Sequence, residues 1–318
     1  MKHAPANNRI ISVSEAPGRL FLAMLGAFVI FAFLVAIIGA GLSTSGMLNL
    51  SDLTGQTADA EGRQLLRFYL MLSNLLPFAG TALLALFFVY RKDWKAAAGL
   101  RANPPSGSVS IAALFFVLSL PFVAWLAYLN LQVPLPDWML RNEENTDLLL
   151  KGILNMSSVP EFIVAFLTVA VTPAIGEELL LRGVVQRRIF RPWFGNPHAA
   201  IWAAAILFSA MHLEFAGFAP RMLLGILLGY AYYWTRSLWV PIGLHLLFNG
   251  LQVIVAYASG EFNPEAGLAE TPPWWLGVGS LLLITAIGVY AQGRFGAPEE
   301  KDHDQEEDLL KHVEAEKP

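Results

Sequence analysis

Long apolar runs separated by short polar segments dominate this chain. A helix needs about 20 mostly apolar residues to cross about 30 Å of hydrocarbon, and about eight runs meet this requirement. Four runs carry no charged residue: Leu20 to Leu42, Phe68 to Tyr90, Ile111 to Val133 and Trp275 to Gln292. The others contain polar residues or vary in length: Phe162 to Phe190, Ala199 to Leu213, Arg221 to Trp239 and Val240 to Tyr257. The pattern predicts an all-α polytopic transmembrane helix bundle of about eight spans.

The polar segments divide the chain around these runs. The first run is too long for a signal-peptide core and no small-residue cleavage site follows it, so we expect it to be retained. From about Ala297 the chain is charged and poor in aromatic residues, which predicts a disordered tail. The predicted organisation has five parts: an N-terminal segment (1–19), N-terminal transmembrane helices and loops (20–160), a core with unusual polar residues (161–258), a last loop and helix (259–296) and an acidic tail (297–318).

The placement of charges predicts an orientation in the membrane. With eight spans, most basic residues fall on the side of both termini, whereas the opposite loops are mainly acidic. The basic residues on that side include Lys2, Arg9, Arg19, Arg91, Lys92, Lys95, Arg101, Arg187, Arg188, Arg191 and Arg236, and the C-terminal tail falls on the same side. Loops rich in lysine and arginine remain in the cytoplasm. We therefore predict an integral protein of a bacterial plasma membrane, with cytoplasmic N- and C-termini.

Composition excludes several classes of function. Only 14% of the residues are charged and 55% are apolar, whereas about a quarter are charged in a soluble domain. The net charge of -4 and the lack of a clustered basic face argue against a nucleic-acid partner. Without cysteine, a metal would need histidine and carboxylate ligands. The chain also lacks the signatures of zincins, serine hydrolases, P-loop nucleotide sites and EF-hands.

Three ionisable residues, Glu177, Glu178 and Arg182, lie in a run of membrane depth. Each ionised group there costs several kcal/mol unless it is paired or hydrated. Glu178 and Arg182 are four residues apart on one helical face, so they can neutralise each other. Glu177 points about 100° away and is left free, as a general base requires. The alternative is that both glutamates belong to a hydrated cytoplasmic helix end.

Two further runs carry histidines. His212 follows Phe208 by four residues, and His245 precedes Asn249 by four, so each pair shares a helical face. The structural alternative is an interhelical hydrogen bond worth about 1 kcal/mol. Counted at about 1.5 Å per residue, Glu177 falls roughly 15 Å, His212 roughly 20 Å and His245 roughly 8 Å inside the cytoplasmic boundary, and we expect the site between the bilayer midplane and the cytoplasmic face. With Glu177, the histidines and Asn249 supply a base, a second group to orient water, and donors for an oxyanion, which indicates hydrolysis.

At these residues the chain resembles the CAAX protease and bacteriocin-processing (CPBP) family of intramembrane proteases. The resemblance covers about Phe162 to Tyr257. The family pattern is E-E-x-x-x-R, then F-x-x-x-H, then H-x-x-x-N or D, which here reads EELLLR, FSAMH and HLLFN. It implies an endopeptidase similar to type II CAAX prenyl endopeptidases, acting on membrane-associated or lipidated proteins or peptides. The implied partners are membrane lipid and a protein or peptide substrate, prenylated in the eukaryotic relatives.

The resemblance also implies a role for each motif residue. Glu177 and His212 would activate water, while His245 and Asn249 would stabilise the tetrahedral oxyanion. The supporting residues would be Glu178, Arg182 and Phe208. This scheme needs no cofactor. The family is also described as metalloproteases, and a divalent metal such as zinc would then use Glu177, His212 and His245 as ligands.

Two other classes of function remain open at this point. In a transporter, the same glutamates and histidines would form a proton or ion relay. Transporters usually contain paired halves, and the chain shows no such duplication. In a non-catalytic scaffold, the polar groups would serve helix packing, although packing needs only some of them. Activity of a Glu177→Gln variant would separate enzyme from scaffold, and ion flux would identify a transporter.

Overall fold

The computed structural model describes residues 16–47, 59–260, 262 and 272–296. Most of the predicted N-terminal segment and all of the predicted acidic tail lie outside the described residues. Within the described ranges the chain forms nine helices and no strand. The helices are α1 (Ala16–Thr44), α2 (Ala60–Ala97), α3 (Ser108–Leu131), α4 (Asp137–Ile153), α5 (Val159–Phe194), α6 (Pro197–Met211), α7 (Phe218–Thr235), α8 (Trp239–Ser259) and α9 (Trp274–Phe295). The predicted all-α helix bundle is confirmed.

All eight predicted runs form helices. Six of them are long and apolar enough to cross a membrane: α1, α2, α3, α5, α8 and α9. Their number and apolarity make the chain an integral membrane protein. The other two are shorter or more polar, since α6 has 15 residues and α7 has 18 residues that include Arg221 and several tyrosines. These two helices complete the bundle by packing against each other and against α5.

Helix α4 differs from the sequence-based expectation. Residues 137–153 contain no long apolar run and are expected in an acidic loop, but they form a helix of 17 residues. The helix is amphipathic, because its apolar residues recur at helical spacing among charged ones. Pro136 precedes it and Asp137 occupies its first turn, which is the usual chemistry of a helix start. Leu149, Leu150 and Ile153 on its apolar face turn towards the interior of the bundle.

The bundle has two chemically different ends. A short turn at Gly195 reverses the chain between α5 and α6, so these helices run in opposite directions. Arg187, Arg191 and Arg236 lie near this turn or near the end of α7, and we call this the arginine end. The opposite end carries α4 and residues 212–217, and we call it the acidic end. This division follows the charge pattern of the sequence.

Helix α5 departs from regular α-helical geometry around its glutamates. Wider π-helical turns occupy Leu167–Val171 and Leu179–Phe190, on either side of the α-helical segment Thr172–Glu178. Pro173 has no N–H to donate to the carbonyl of Val169, four residues earlier. The Asn249 amide of α8 donates to that carbonyl at 3.1 Å. Inside a membrane such freed backbone groups need a partner, so this bond fixes α8 against α5 close to the glutamates.

Two glycines of α7 allow close packing with α5 and α6. A Cβ at Gly225 would lie 3.0 Å from the Cβ of Ala205, and one at Gly229 would lie 2.8 Å from an isoleucine of α6. The carbonyls of the same glycines accept hydrogen bonds from α5. Arg182 donates to Gly225 at 3.0 Å and Gln186 donates to Gly229 at 3.1 Å. Both bonds keep α5 in register with α7.

Candidate functional site

The predicted ion pair between Glu178 and Arg182 is present and buried. The guanidinium donates to the Glu178 carboxylate at 2.7 Å, and the two side chains are 0% and 1% exposed. The ring of Phe208 lies beneath the guanidinium, 5.0 Å from its central carbon. Removing one member of such a buried pair leaves an uncompensated charge, which typically costs about 3–5 kcal/mol.

Glu178 has a second partner that the sequence spacing does not reveal. The same carboxylate oxygen lies 2.9 Å from Nδ1 of His245 on α8. Because a carboxylate only accepts, Nδ1 carries the proton in this contact. The other ring nitrogen, Nε2, accepts from the Asn249 amide at 3.2 Å. With the bond from Asn249 to the Val169 carbonyl, both ring nitrogens and both amide protons are used. The expected oxyanion donors therefore already have partners.

Glu177 points away from this ion pair, as the sequence predicts. It is not free, however, because its carboxylate is hydrogen-bonded to Asn74. The Asn74 side chain of α2 donates to its carboxylate at 3.2 Å. Gly176 makes the approach of α2 possible, because a Cβ there would lie 3.1 Å from the Asn74 amide oxygen and 3.2 Å from Phe78. Glu177 is 6% exposed. A neutral donor thus orients the carboxylate without neutralising its charge.

His212 follows the last residue of α6 and has a defined tautomer. Its Nδ1 lies 2.8 Å from the carbonyl of Phe208, which can only accept, so Nδ1 carries the proton. In the neutral ring Nε2 then carries a lone pair and can take up a proton. The Phe208 ring meets His212 edge-on at 5.1 Å and His245 at 6.1 Å. Phe208 therefore contacts both histidines and the Arg182 guanidinium.

One cavity brings the predicted catalytic residues together. Its volume is about 890 Å³. The candidate residues among those that line it are Glu177, His212, His245 and Asn249, together with Asn74. They come from α2, α5, α6 and α8, and apolar side chains of α3 and α4 form much of the remaining wall. Glu178 and Arg182 do not line the cavity, so the two adjacent glutamates have separate surroundings.

The cavity extends to the acidic end of the bundle. Its lining includes Leu149 and Leu150 of α4, and Glu214 and Gly217 beyond α6. The sequence predicts the site nearer the arginine end, between the midplane and the cytoplasmic face. His212 lies a full α6 length, about 22 Å, from the arginine end, close to the depth counted from the sequence, and the cavity continues beyond it to the acidic end. The amphipathic helix α4 lies at the same end and covers part of the cavity.

The segment that carries His212 is held by α4. We call residues 212–217 the histidine loop. The carboxylate of Glu143 accepts hydrogen bonds from the backbone N–H groups of Phe215 and Ala216, and Asn142 donates to the carbonyl of Leu213 at 2.8 Å. Leu213 has a positive φ of 56°, which is unfavourable for a side chain of its kind. These bonds hold the loop in a conformation that it would not favour alone.

Two residues of neighbouring helices also bind the histidine loop. Asn130 of α3 donates to the carbonyls of Phe215 and Ala216 at 2.9 and 2.8 Å. Arg221 of α7 forms an ion pair with Glu214. Burial raises the pKa of the Glu214 carboxyl, while the Arg221 charge acts in the opposite direction. The loop is therefore anchored to three helices.

The residues that were considered as metal ligands do not fit a metal site. In the described part of the chain, no three histidine or carboxylate side chains gather closely enough to hold an ion. Both ring nitrogens of His245 face other partners, Glu178 and Asn249. The set Glu177, His212 and His245 is thus not arranged for coordination.

A comparison with protein families identifies the segment that builds this site. Residues 159–251 match the family model described as type II CAAX prenyl endopeptidase Rce1-like. The matched segment contains all three motifs in order. This segment is similar to that family. We call residues 159–251 the CPBP segment, which comprises all of α5, α6 and α7 and the first part of α8.

Two curated relatives are similar over part of their length. The membrane-embedded CAAX protease MroQ of Staphylococcus aureus is 32% identical over 120 residues, which cover 36% of this chain and 46% of MroQ. YpbD of Bacillus subtilis, described as an uncharacterized protein, is 31% identical over 105 residues, 32% of this chain and 48% of YpbD. The chain thus spans about half the length of the curated relatives it matches. No solved structure matches this chain.

Several groups of the site lie outside the CPBP segment. Asn74 belongs to α2, Asn130 to α3, and Asn142 and Glu143 to α4. No fixed sequence spacing links these residues to the motif residues, because their contacts join helices that are distant in sequence. The signs available in the sequence are Asn74 and Asn130, two amides that each lie within a largely apolar run.

Proposed function

We propose that the protein is an intramembrane endopeptidase that hydrolyses peptide bonds of membrane-associated or lipidated, CAAX-like proteins or peptides. The observation that carries the proposal is the arrangement of Glu177 and His212. Both reach one largely apolar cavity, whereas the neighbouring Glu178 is committed to Arg182 and His245. A base kept apart from the structural ion pair can take a proton from a water molecule, as hydrolysis requires.

In the proposed reaction, Glu177 and His212 activate a water molecule. The Glu177 carboxylate, oriented by Asn74, takes a proton while the water oxygen attacks the carbonyl carbon of the scissile peptide bond. Nε2 of His212 accepts a hydrogen bond from the same water, because its Nδ1 proton is held by Phe208. The proton on Glu177 then passes to the leaving nitrogen as the C–N bond breaks, which restores the carboxylate.

The proposed oxyanion donors are His245 and Asn249, and they need a rearrangement to act. Nε2 of His245 must first take up a proton from water in the cavity before it can donate to the oxyanion, while Nδ1 already donates to Glu178. The Glu178 carboxylate stabilises the doubly protonated ring that results. Asn249 must then turn one amide proton from Nε2 towards the oxyanion. Glu178 would therefore support catalysis as well as packing.

The proposed substrate is a protein or peptide that enters the cavity from the membrane. Apolar side chains of α3 and α4 suit a hydrophobic segment or a lipid chain better than a charged peptide. The relative MroQ is named a membrane-embedded CAAX protease, which supports CAAX-like peptides as the first substrates to test. We place the protein in a bacterial plasma membrane, with both termini in the cytoplasm, in agreement with the charge pattern.

Cleavage of a quenched fluorescent peptide library, with and without prenylated CAAX peptides, tests the proposal. The purified full chain should cleave members of the library, and Glu177→Gln should lower the rate at least about a hundredfold because it removes the base. Glu144→Gln makes the same chemical change at an exposed position of α4 and should retain activity. A chelator should leave the wild-type rate unchanged.

Three outcomes would contradict this scheme. Equal cleavage by wild type and Glu177→Gln would exclude Glu177 as the base. Loss of activity with the chelator, restored by zinc, would require a metal and a rearranged His245. Ion flux in proteoliposomes that is abolished by Glu177→Gln, without cleavage of any peptide, would favour a transporter.

A further inference from the structure

A small cleft at the arginine end is separate from the catalytic cavity and shares no lining residue with it. Its interior volume is about 30 Å³. The side chains that define its chemistry are three arginines and two tyrosines: Arg187, Arg191, Arg236, Tyr232 and Tyr233. Among the described residues that line it there is no aspartate or glutamate. The cleft is therefore strongly basic and has no function in the proposed proteolysis.

Tyrosine rings position two of the three arginines. The Arg187 guanidinium lies over the Tyr232 ring at 5.8 Å and donates to its hydroxyl at 3.0 Å. That hydroxyl in turn donates to the carbonyl of Ala98 at 3.0 Å. The Arg191 guanidinium lies over the Tyr233 ring at 5.7 Å. A guanidinium over the face of an aromatic ring is attracted to it, so the two rings hold these positive charges at the cleft.

The third arginine has a buried donor without a partner. Arg236 follows the last residue of α7 and has a positive φ of 57°. Its backbone N–H donates to the backbone carbonyl of Tyr232 at 2.7 Å. Its Nε is buried and forms no hydrogen bond. A buried charged donor without an acceptor is unfavourable, and an anion in the cleft would satisfy it.

We propose that this cleft binds a phosphate group. The phosphate oxygens would accept hydrogen bonds from Nε of Arg236 and from the guanidinium groups of Arg187 and Arg191. The interior holds about one or two water molecules, so oxygens of a phosphate enter while the rest of a larger molecule stays outside. At the end of the bundle, where helices meet the headgroup layer, an anionic phospholipid presents such a group. Free inorganic phosphate has the same chemistry.

Native mass spectrometry of the purified full chain, titrated with phosphatidylglycerol, tests the proposal. The informative variant is Arg236→Gly, because glycine suits a positive φ and the fold is retained. Arg91→Gly is a matched control, since Arg91 also has a positive φ, of 50°, and does not line the cleft. Arg236→Gly should weaken lipid binding about tenfold, whereas Arg91→Gly should leave it within about twofold.

Inorganic phosphate distinguishes the two sources of the ligand. If phosphate displaces phosphatidylglycerol from the wild-type protein, the cleft recognises the phosphate group alone. If it does not, and Arg236→Gly still weakens lipid binding, the cleft recognises a phosphate carried by a lipid. Both results support a phosphate site.

A second measurement uses only the wild-type protein. Phosphatidylglycerol should slow the modification of Arg236 by phenylglyoxal and leave that of Arg91 unchanged. The proposal is overturned if both arginines react equally with and without lipid, or if the two glycine variants bind lipid equally. Either result would indicate a general basic surface. Proteolytic activity enters neither measurement, so the outcome is independent of the proposed function.

Discussion

Two adjacent carboxylates in α5 have different surroundings because successive helical residues point about 100° apart. Glu178 faces Arg182 and His245, whereas Glu177 faces the cavity and Asn74. The spacing of the motif is enough to predict the first pairing. It cannot predict the contacts with Asn74 and His245, because these depend on which helices lie side by side.

At the residue scale, Asn74 orients the proposed base and can be tested directly. Asn74→Leu keeps a similar volume and removes the donor, so the Glu177 carboxylate loses its fixed direction. We expect kcat to fall about tenfold or more while KM stays constant, since the interaction serves the transition state. Ser73→Ala is the control, because the Ser73 hydroxyl donates to its own helix at the Tyr69 carbonyl. A rise in KM alone would show that Asn74 binds substrate instead.

Gly176 offers a second test at this scale. Gly176→Ala would place a Cβ 3.1 Å from the Asn74 amide oxygen and 3.2 Å from Phe78, so α2 must move away from α5. Overpacking of this kind typically costs about 1–3 kcal/mol. Thermal unfolding in detergent should therefore shift to lower temperature. Gly243→Ala is the matched change on α8, where a Cβ meets nothing within 4 Å, and should leave the midpoint unchanged. Equal midpoints for both variants would contradict the close approach.

At the scale of elements, long apolar runs predict eight of the nine described helices. They miss α4, because an amphipathic helix at an end of a bundle does not need about 20 apolar residues. The error has a functional consequence, since α4 both covers the cavity and binds the histidine loop through Asn142 and Glu143. Period-3.6 spacing of apolar residues, together with Pro136 at its start, is the sign by which α4 could be predicted.

The contact between α4 and the histidine loop predicts a graded effect. Glu143→Ala removes the acceptor for the N–H groups of Phe215 and Ala216. These amides should exchange hydrogen with solvent faster, and kcat should fall because His212 is less well positioned. Hydrogen exchange measured by mass spectrometry over residues 212–217 checks this expectation. Glu144→Ala, at an exposed neighbouring position, should change neither quantity. If hydrogen exchange of residues 212–217 is unchanged in Glu143→Ala, the remaining hydrogen bonds are enough to hold the histidine loop.

At the scale of the whole molecule, the charge pattern predicts which end faces the cytoplasm. The chain contains no cysteine, so a single introduced cysteine is the only residue of its kind that a maleimide can label. Lys95→Cys at the arginine end should react with a membrane-impermeant maleimide only after cells are opened. Glu144→Cys on α4 should react in intact spheroplasts, because the acidic end faces outwards under the positive-inside rule. The reverse pattern of labelling would invert the orientation and place the cavity on the cytoplasmic side.

The depth of the site is the property that the sequence predicts least well. Counting residues from helix ends locates each motif along its own helix, but not the relative heights of different helices. Here the short helix α6 and the wide π-helical turns of α5 set those heights. The cavity therefore extends towards the acidic end, although the motif residues themselves do line one common space.

Pro173 and Asn249 are linked through a single backbone oxygen. The proline leaves the carbonyl of Val169 without its usual helical donor, and the asparagine amide supplies one. The third motif of the CPBP family ends in asparagine or aspartate, yet an ionised aspartate has no proton to give. An aspartate therefore suits a chain whose residue at 173 has its own N–H. The residues at positions 173 and 249 should consequently change together during evolution. The last residue of the third motif would then depend on whether the Val169 carbonyl of α5 needs a side-chain donor.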